Sequence, residues 1–249
     1  MASFFLYNLI FSQKYDIIII VKKKGRKNMV FSSTDARRDF EVLFTKLYDT
    51  NIKDFLDNPT DHYIRTEWIE RVRQSEHYDD IYICGGCSRL VVVDNNCKYV
   101  FKIQIDKETD VDYGIAEEYI FNEAVKFGIS DFFAWSGYVG KYGNAEVYAM
   151  EKVDACECKI SSEAYSYHLG IARENADFDD DEEPYIDGYD DHDGMLEFAC
   201  SVNGEGMNKV IDFIIHYGIN DLHCGNWGYR NDTLVLIDYG GYGRKVYKD

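Results

Sequence analysis

The chain has 249 residues, 46 % hydrophobic, 16 % aromatic and 29 % charged, which is enough to bury a core and excludes wholesale disorder and collagen-like or coiled-coil architectures. Its 27 Lys and Arg against 45 Asp and Glu give a formal charge of −18, which argues against nucleic acid as a partner, because neutralising phosphates needs a basic surface. Ten of the acidic residues, and no Lys or Arg, lie between Asp177 and Asp193, so the excess is one local tract.

At the N-terminus, apolar runs at Phe4–Phe11 and Ile17–Val21 are followed by Lys22-Lys23-Lys24-Gly25-Arg26-Lys27. Neither run reaches the ~20 residues that cross a bilayer, so no transmembrane span is expected. Charge after the apolar stretch is the reverse of a signal peptide. Residues 1–28 are read as lying outside the fold. A translation start at Met29 is preferred to an interfacial anchor.

A helical leader is expected over 29–79. Phe40, Leu43, Phe44, Leu47 and Tyr48 have the spacing of one buried helical face, and Thr66 to Arg73 forms a second, shorter helix. From Asp80 the pattern turns to strands at Ile81–Cys84, Leu90–Val93 and Tyr99–Ile105, with Asp94-Asn95-Asn96 as a hairpin turn. A helix over Asp112–Phe127 closes at Gly128, and Trp135–Gly140 with Ala145–Met150 forms another hairpin. This order predicts an α+β layer, an antiparallel sheet carrying one helix, over 80–153. Residues 154–205 hold the acidic tract and are expected to be a partly disordered insert. Over 206–249 a stripe of Met207, Val210, Ile211, Ile214 and Ile215 predicts a helix ended by Gly218, and a turn at Asn231-Asp232 leads to the apolar strand Leu234–Ile237.

Seven cysteines at irregular spacing fit a reduced, cytoplasmic setting. Cys84-Gly85-Gly86-Cys87 lacks the second pair that zinc would need, and is read as small residues beside a tight glycine turn.

The chemistry concentrates late in the chain. Asp221 and Asn226 bracket a short polar loop after a buried helix, and Asp238 stands at the end of a buried strand before Tyr239-Gly240. Two carboxylates and a carboxamide are hard oxygen ligands, suited to Mg²⁺ on a phosphate.

Asp221-Leu222-His223-Cys224-Gly225-Asn226 followed by Asp238-Tyr239-Gly240 resembles the D-x-x-x-x-N loop and D-F-G of the protein-kinase-like superfamily, which includes the aminoglycoside and choline phosphotransferases. The upstream half agrees in order. Tyr99-Val100-Phe101-Lys102 resembles the V-A-I-K strand, and Met150-Glu151-Lys152-Val153 resembles the hinge that carries adenine. Gly85-Gly86-Cys87-Ser88-Arg89 is a partial glycine loop, lacking the full G-x-G-x-x-G. The resemblance implies a two-lobed fold with a reduced, truncated C-lobe, and ATP and Mg²⁺ as cofactors. Lys102 would hold the phosphates, and Glu117 or Glu118 would pair with it. Glu117 is preferred because Ile120, Phe121 and Ala124 mark its helix face as the packed one. Gly85, Gly86 and Ser88 would approach the phosphates, and the backbone of Glu151 and Val153 would read the base. Asp221 would take the proton of the attacking hydroxyl, Asn226 and Asp238 would hold Mg²⁺, and His223 would sit near the γ-phosphate.

Departures from the pattern shape the expected function. Ile219 and Asn220 replace the histidine and arginine of H-R-D, and no A-P-E follows Gly240. The chain therefore resembles a minimal kinase, similar in outline to short effectors that some bacteria inject into host cells. Activation-loop phosphorylation is not expected to control it. The leading expectation is a protein Ser/Thr kinase whose acidic insert attracts a basic protein partner. His223 favours a small-molecule kinase as the alternative, and the thin glycine loop favours a silent pseudokinase binding module.

Overall fold

The computed structural model describes residues 10–12, 16–20, 30–85, 88–105, 113–175 and 192–240. Its elements fall into two units, Met1–Gly114 with Trp135–Lys152 and Ile115–Ala134 with Val153–Asp249. Both units combine helix and strand, and the protein is α+β.

The first unit opens with three short antiparallel strands in sequential order, β1 (Ile10–Ser12), β2 (Asp16–Ile20) and β3 (Val30–Phe31). Residues 10–12 and 16–20 thus share a small sheet with the residues that enter the first helix. Ser32 starts helix α1 (Ser33–Lys46) by accepting the Asp35 N–H on its hydroxyl at 3.1 Å, which satisfies one open donor of the first turn. Ala36, Phe40, Leu43 and Leu47 are buried, whereas Tyr48, expected on the same stripe, is 61 % exposed because the chain tightens into a 3₁₀ turn at Tyr48–Thr50.

The leader has one more helix than its sequence pattern predicts. Helix α2 (Ile52–Asp57) has six residues, too few to display a period. Helix α3 (His62–Arg73) starts ahead of Thr66 because the Asp61 carboxylate accepts the N–H groups of Tyr63 and Ile64, at 2.9 and 3.1 Å. Trp68 stacks on Phe55 with ring centroids 4.5 Å apart and donates its indole N–H to the Thr50 hydroxyl at 3.0 Å. The only polar atom of the buried indole is thereby satisfied.

A five-stranded antiparallel sheet forms the rest of this unit. It contains β4 (Ile81–Gly85), β5 (Arg89–Asp94), β6 (Tyr99–Gln104), β7 (Ser136–Tyr142) and β8 (Ala145–Glu151), in the order β4-β5-β6-β8-β7. The turn after β5 is fixed by the Asp94 carboxylate, which accepts the Asn96 N–H at 2.8 Å. Side chains alternate between faces, so each row of paired residues shares one face. Ile83, Val92, Phe101 and Ala149 form a row on the first face. There Phe40 of α1 meets the rings of Phe101 and Tyr142, at 5.1 and 4.6 Å. Burying such aromatics contributes roughly 1.5–3 kcal/mol each. The β7–β8 turn also docks on the end of α2, where Asn144 donates its N–H to the Leu56 carbonyl at 2.9 Å and its Nδ2 to the Asp57 carbonyl at 2.6 Å. The leader and the sheet are therefore one packed body.

Helix α4 (Tyr113–Phe127) begins in the first unit and belongs to the second from Ile115 onward. Gly128, at φ +71°, ends it. The second unit continues with α5 (Glu157–Asn175), α6 (His192–Asn203), α7 (Met207–Tyr217) and a hairpin of β9 (Trp227–Arg230) and β10 (Thr233–Leu236). Much of the segment expected as a partly disordered insert is thus helical, over 157–175 and 192–203. Most of the acidic tract lies outside the described residues. The buried side of α7 is Met207, Val210, Phe213, Ile214 and Tyr217. Ile215 is 71 % exposed and Ile211 only half-buried, so the apolar stripe turns toward the aromatics instead: Phe213 meets Phe127 at 5.3 Å and Phe133 at 5.4 Å.

Both edges of the hairpin are closed. On β9, Asp154 and Tyr229 exchange N–H to carbonyl bonds of 3.0 and 2.7 Å. On β10, the Ala134 N–H donates to the Leu236 carbonyl at 2.9 Å. Asn203, at the end of α6, donates Nδ2 to the Leu234 carbonyl at 2.8 Å and accepts the Leu234 N–H on Oδ1 at 2.9 Å. No helix of the described residues is long and apolar enough to cross a membrane.

Candidate functional site

In the first unit Lys102 lies on the second face of the sheet. Lys102 pairs with Val91 on one side and Tyr148 on the other, in mid-sheet, and is 6 % exposed. The next row along the same face is Val93, Val100 and Met150. Val91, Val93 and Val100 are half-buried and Met150 is buried. Lys102 therefore stands beside an apolar floor that retains partial access to solvent. Gly114 approaches this row closely, because a Cβ there would fall inside the Tyr148 ring.

Glu151 follows Met150 on β8 and, paired with Tyr99, belongs to the first face. Its carboxylate accepts the Trp135 N–H at 3.2 Å and its own N–H donates to the Trp135 carbonyl at 2.8 Å, so this buried acid is held by backbone at both ends. At the other end of the sheet, Gly85 closes β4 and the Ser88 carbonyl accepts the Ile105 N–H at 2.9 Å. Gly86 lies outside the described residues. Val153 belongs to the second unit, where it packs so closely on Gly228 that a Cβ there would meet it.

In the second unit the loop from Asp221 leads through a 3₁₀ turn at Cys224–Asn226 into β9. Asn226 is buried, and its Nδ2 donates to the Asp221 carbonyl at 2.9 Å, which directs Oδ1 the other way. The Ile237 N–H donates to the Asn226 carbonyl at 2.9 Å, so the hairpin brings Asp238 back to the mouth of the loop that it left at Asn226. Tyr239 pins the chain just past Asp238: it is buried, meets Phe133 edge-on at 5.4 Å and donates its hydroxyl to the Ala134 carbonyl at 2.6 Å.

His223 shapes the loop. Its Nδ1 accepts the Gly225 N–H at 3.1 Å, which leaves the ring proton of the neutral form on Nε2, 3.6 Å from Asp221 Oδ1. A Cβ on Gly225 would lie 2.9 Å from the imidazole, so a larger residue there would displace the ring. Leu222 is anchored by the Trp227 indole, which donates to its carbonyl at 2.8 Å.

The structure thus brings Asp221, His223, Asn226 and Asp238 together on one loop and hairpin; Gly85, Lys102 and Glu151 belong to one sheet, with Glu151 on the face opposite Lys102 and Ser88 just before β5. Glu117, on α4 in the second unit, is 0 % exposed and Glu118 half-buried, so of the two acids Glu117 is the interior one. Among the described residues no three His, Cys, Asp or Glu side chains cluster as metal ligands. One carboxylate and one carboxamide instead suit an ion that keeps water and takes phosphate oxygens, as Mg²⁺ does, so the donor set fits that metal.

Several residues of these sites carry no signal of their own in the sequence. Val91, Val93 and Val100 read as ordinary strand residues until register sets them beside Lys102. Glu157, at the start of α5, comes within 3.9 Å of the Cys224 thiol, and nothing in its surroundings in the sequence marks it. Comparison with protein-family models, with curated proteins and with solved structures finds no match.

Proposed function

We propose that the protein is an ATP- and Mg²⁺-dependent phosphotransferase of two-lobed, protein-kinase-like construction, acting on a hydroxyl acceptor, in the first place a protein Ser or Thr. The observation that carries this reading is the tie at the hairpin mouth. Asn226 holds the Asp221 carbonyl through its side chain and accepts from Ile237 through its backbone, so two carboxylates and a carboxamide share one end of one hairpin. The apolar floor beside the buried Lys102 supports it, because a purine needs an apolar surface and its phosphates need a cation.

In this reading Asp221 orients the acceptor hydroxyl and receives its proton. Asn226 and Asp238 would hold Mg²⁺, which when bound supplies charge neutralisation at the phosphates. Lys102 binds phosphate oxygens, Gly85 and Ser88 line the approach to them, and the backbone of Glu151 reads the base. Catalysis would be mostly positioning and electrostatic stabilisation. The second reading, a small-molecule acceptor, draws on the tautomer imposed on His223, which directs an N–H toward Asp221. Parallel transfer assays on a protein lysate and on aminoglycosides and choline separate the two.

A thermal-shift titration tests the nucleotide assignment. Mg²⁺ with ATP should stabilise the protein and Asp238→Ala should remove that stabilisation. Equal stabilisation of both forms would refute the metal assignment.

A further inference from the structure

Lys102 is not the only cation buried on its face of the sheet. Arg89 opens β5 and pairs with Gln104 of β6. Alternation puts Arg89 on the same face as Val91 and Val93, and Gln104 on the same face as Lys102 and Val100. Three rows therefore follow one another along that face: Val93 with Val100 and Met150, then Val91 with Lys102 and Tyr148, then Arg89 with Gln104. Successive rows are roughly 7 Å apart. Arg89 is 8 % exposed, and its guanidinium lies 5.5 Å from the centre of the Tyr113 ring. Arginine is rarely buried to this degree, because its charge loses hydration. Here the aromatic face orients it and recovers part of that loss.

We propose that Arg89 is a side-chain clamp for the terminal phosphate of a nucleoside triphosphate, giving the protein a preference for tri- over diphosphates. The proposal rests on the nucleotide reading of the Lys102 face. Along that face the order is apolar floor, lysine, arginine, and a nucleoside triphosphate presents base, inner phosphates and terminal phosphate in the same order. A full glycine loop would grip phosphate with backbone N–H groups, and this chain carries only Gly85 and Gly86 of that pattern. A planar guanidinium offers two parallel donors to a phosphate and replaces what the short loop lacks. Gln104 beside it adds a neutral polar group to the same row.

Isothermal titration of the full chain in Mg²⁺ tests this, with ATP, ADP, adenosine and inorganic tripolyphosphate as probes on wild type, Arg89→Gln and Arg89→Lys. Arg89→Gln should weaken ATP and tripolyphosphate about tenfold to a hundredfold, change ADP by less than about threefold and leave adenosine unaltered. Arg89→Lys should keep the charge, lose the fork and fall between. It carries the test alone if the glutamine form does not fold, since an unchanged ATP-to-ADP ratio in it would overturn the clamp. Equal losses for ATP and ADP, or none, would also overturn it and make Arg89 a strut for Tyr113, while leaving the nucleotide reading of the wild type standing. Tripolyphosphate binding that depends on Arg89 without any binding of ATP or adenosine would refute the nucleotide reading and keep the phosphate clamp. Binding of neither ATP nor tripolyphosphate by the wild type would refute both.

Discussion

Asn226 and Ile237 are joined backbone to backbone across the mouth of the β9/β10 hairpin, the Ile237 N–H donating to the Asn226 carbonyl at 2.9 Å. Asn226 also reaches back to the Asp221 carbonyl, so one buried residue holds both ends of the proposed catalytic segment. Asn226→Ala should therefore lower unfolding free energy by about 1–2 kcal/mol, read as a lower urea midpoint, and also abolish stabilisation by Mg²⁺ with ATP. Loss of stability with full retention of the Mg²⁺ effect would remove Asn226 from the metal site and leave it a structural tie.

A second tie lies on the other edge of the hairpin. Asn203 replaces a missing strand neighbour by bonding both backbone groups of Leu234. Asn203→Ala should cost about 1–3 kcal/mol, because both groups lose their partner in a largely buried place. Asn203→Asp keeps the acceptor and loses the donor, and should fall between wild type and alanine in the same urea titration.

Much of the sheet unit was legible because strands announce themselves by alternation and turn chemistry. Asp94-Asn95-Asn96 fixes a hairpin, and with it the register that sets Val91 beside Lys102. Helix α5 was hidden for a physical reason. Only Ile160 and Ala164 among its first residues are buried, and Ser161, Ser162 and Ser166 dilute any stripe. On α7 two apolar stripes compete, and the rings of Phe127 and Phe133 on other elements decide for Phe213 over Ile215. Asp221, Asn226 and Asp238 stood out by spacing, whereas the ties at Asn203 and Asp154 join residues far apart in the chain and leave no local pattern.

Two glycines offer a matched comparison. Gly143 and Gly128 both have positive φ, +60° and +71°, but a Cβ at Gly143 would press on Asp57 and Leu56, while at Gly128 it would meet nothing within 4 Å. Gly128→Ala should cost about 1 kcal/mol from backbone strain alone, and Gly143→Ala clearly more. Equal costs in urea unfolding would mean that the β7–β8 turn does not dock on α2.

Alkaline pH should weaken the first unit through Cys97. Burial pushes its thiol up to about 11 from an ordinary 9.0, helped by the Asp39 carboxylate. The unfolded chain therefore releases this proton while the folded chain still holds it, and stability falls as pH rises through that window. The contribution is complete below about pH 9 and lost above about pH 11. Cys97→Ser, which keeps an acceptor for the Tyr99 N–H, should flatten the fall. Identical slopes for the two proteins would remove Cys97 as its source.

Phosphate transfer tests the central claim most directly. The purified protein is incubated with γ-labelled ATP and Mg²⁺, alone and with a cell lysate, beside Asp221→Asn. The account predicts label on a protein acceptor with the wild type. It predicts none with Asp221→Asn, although that variant still gains thermal stability from Mg²⁺ with ATP, because Asp221 serves proton transfer rather than binding. Equal labelling by both proteins would contradict the role of Asp221. No transfer by the wild type to protein, aminoglycoside or choline, despite bound Mg²⁺ and ATP, would contradict the phosphotransferase reading and leave a nucleotide-binding module.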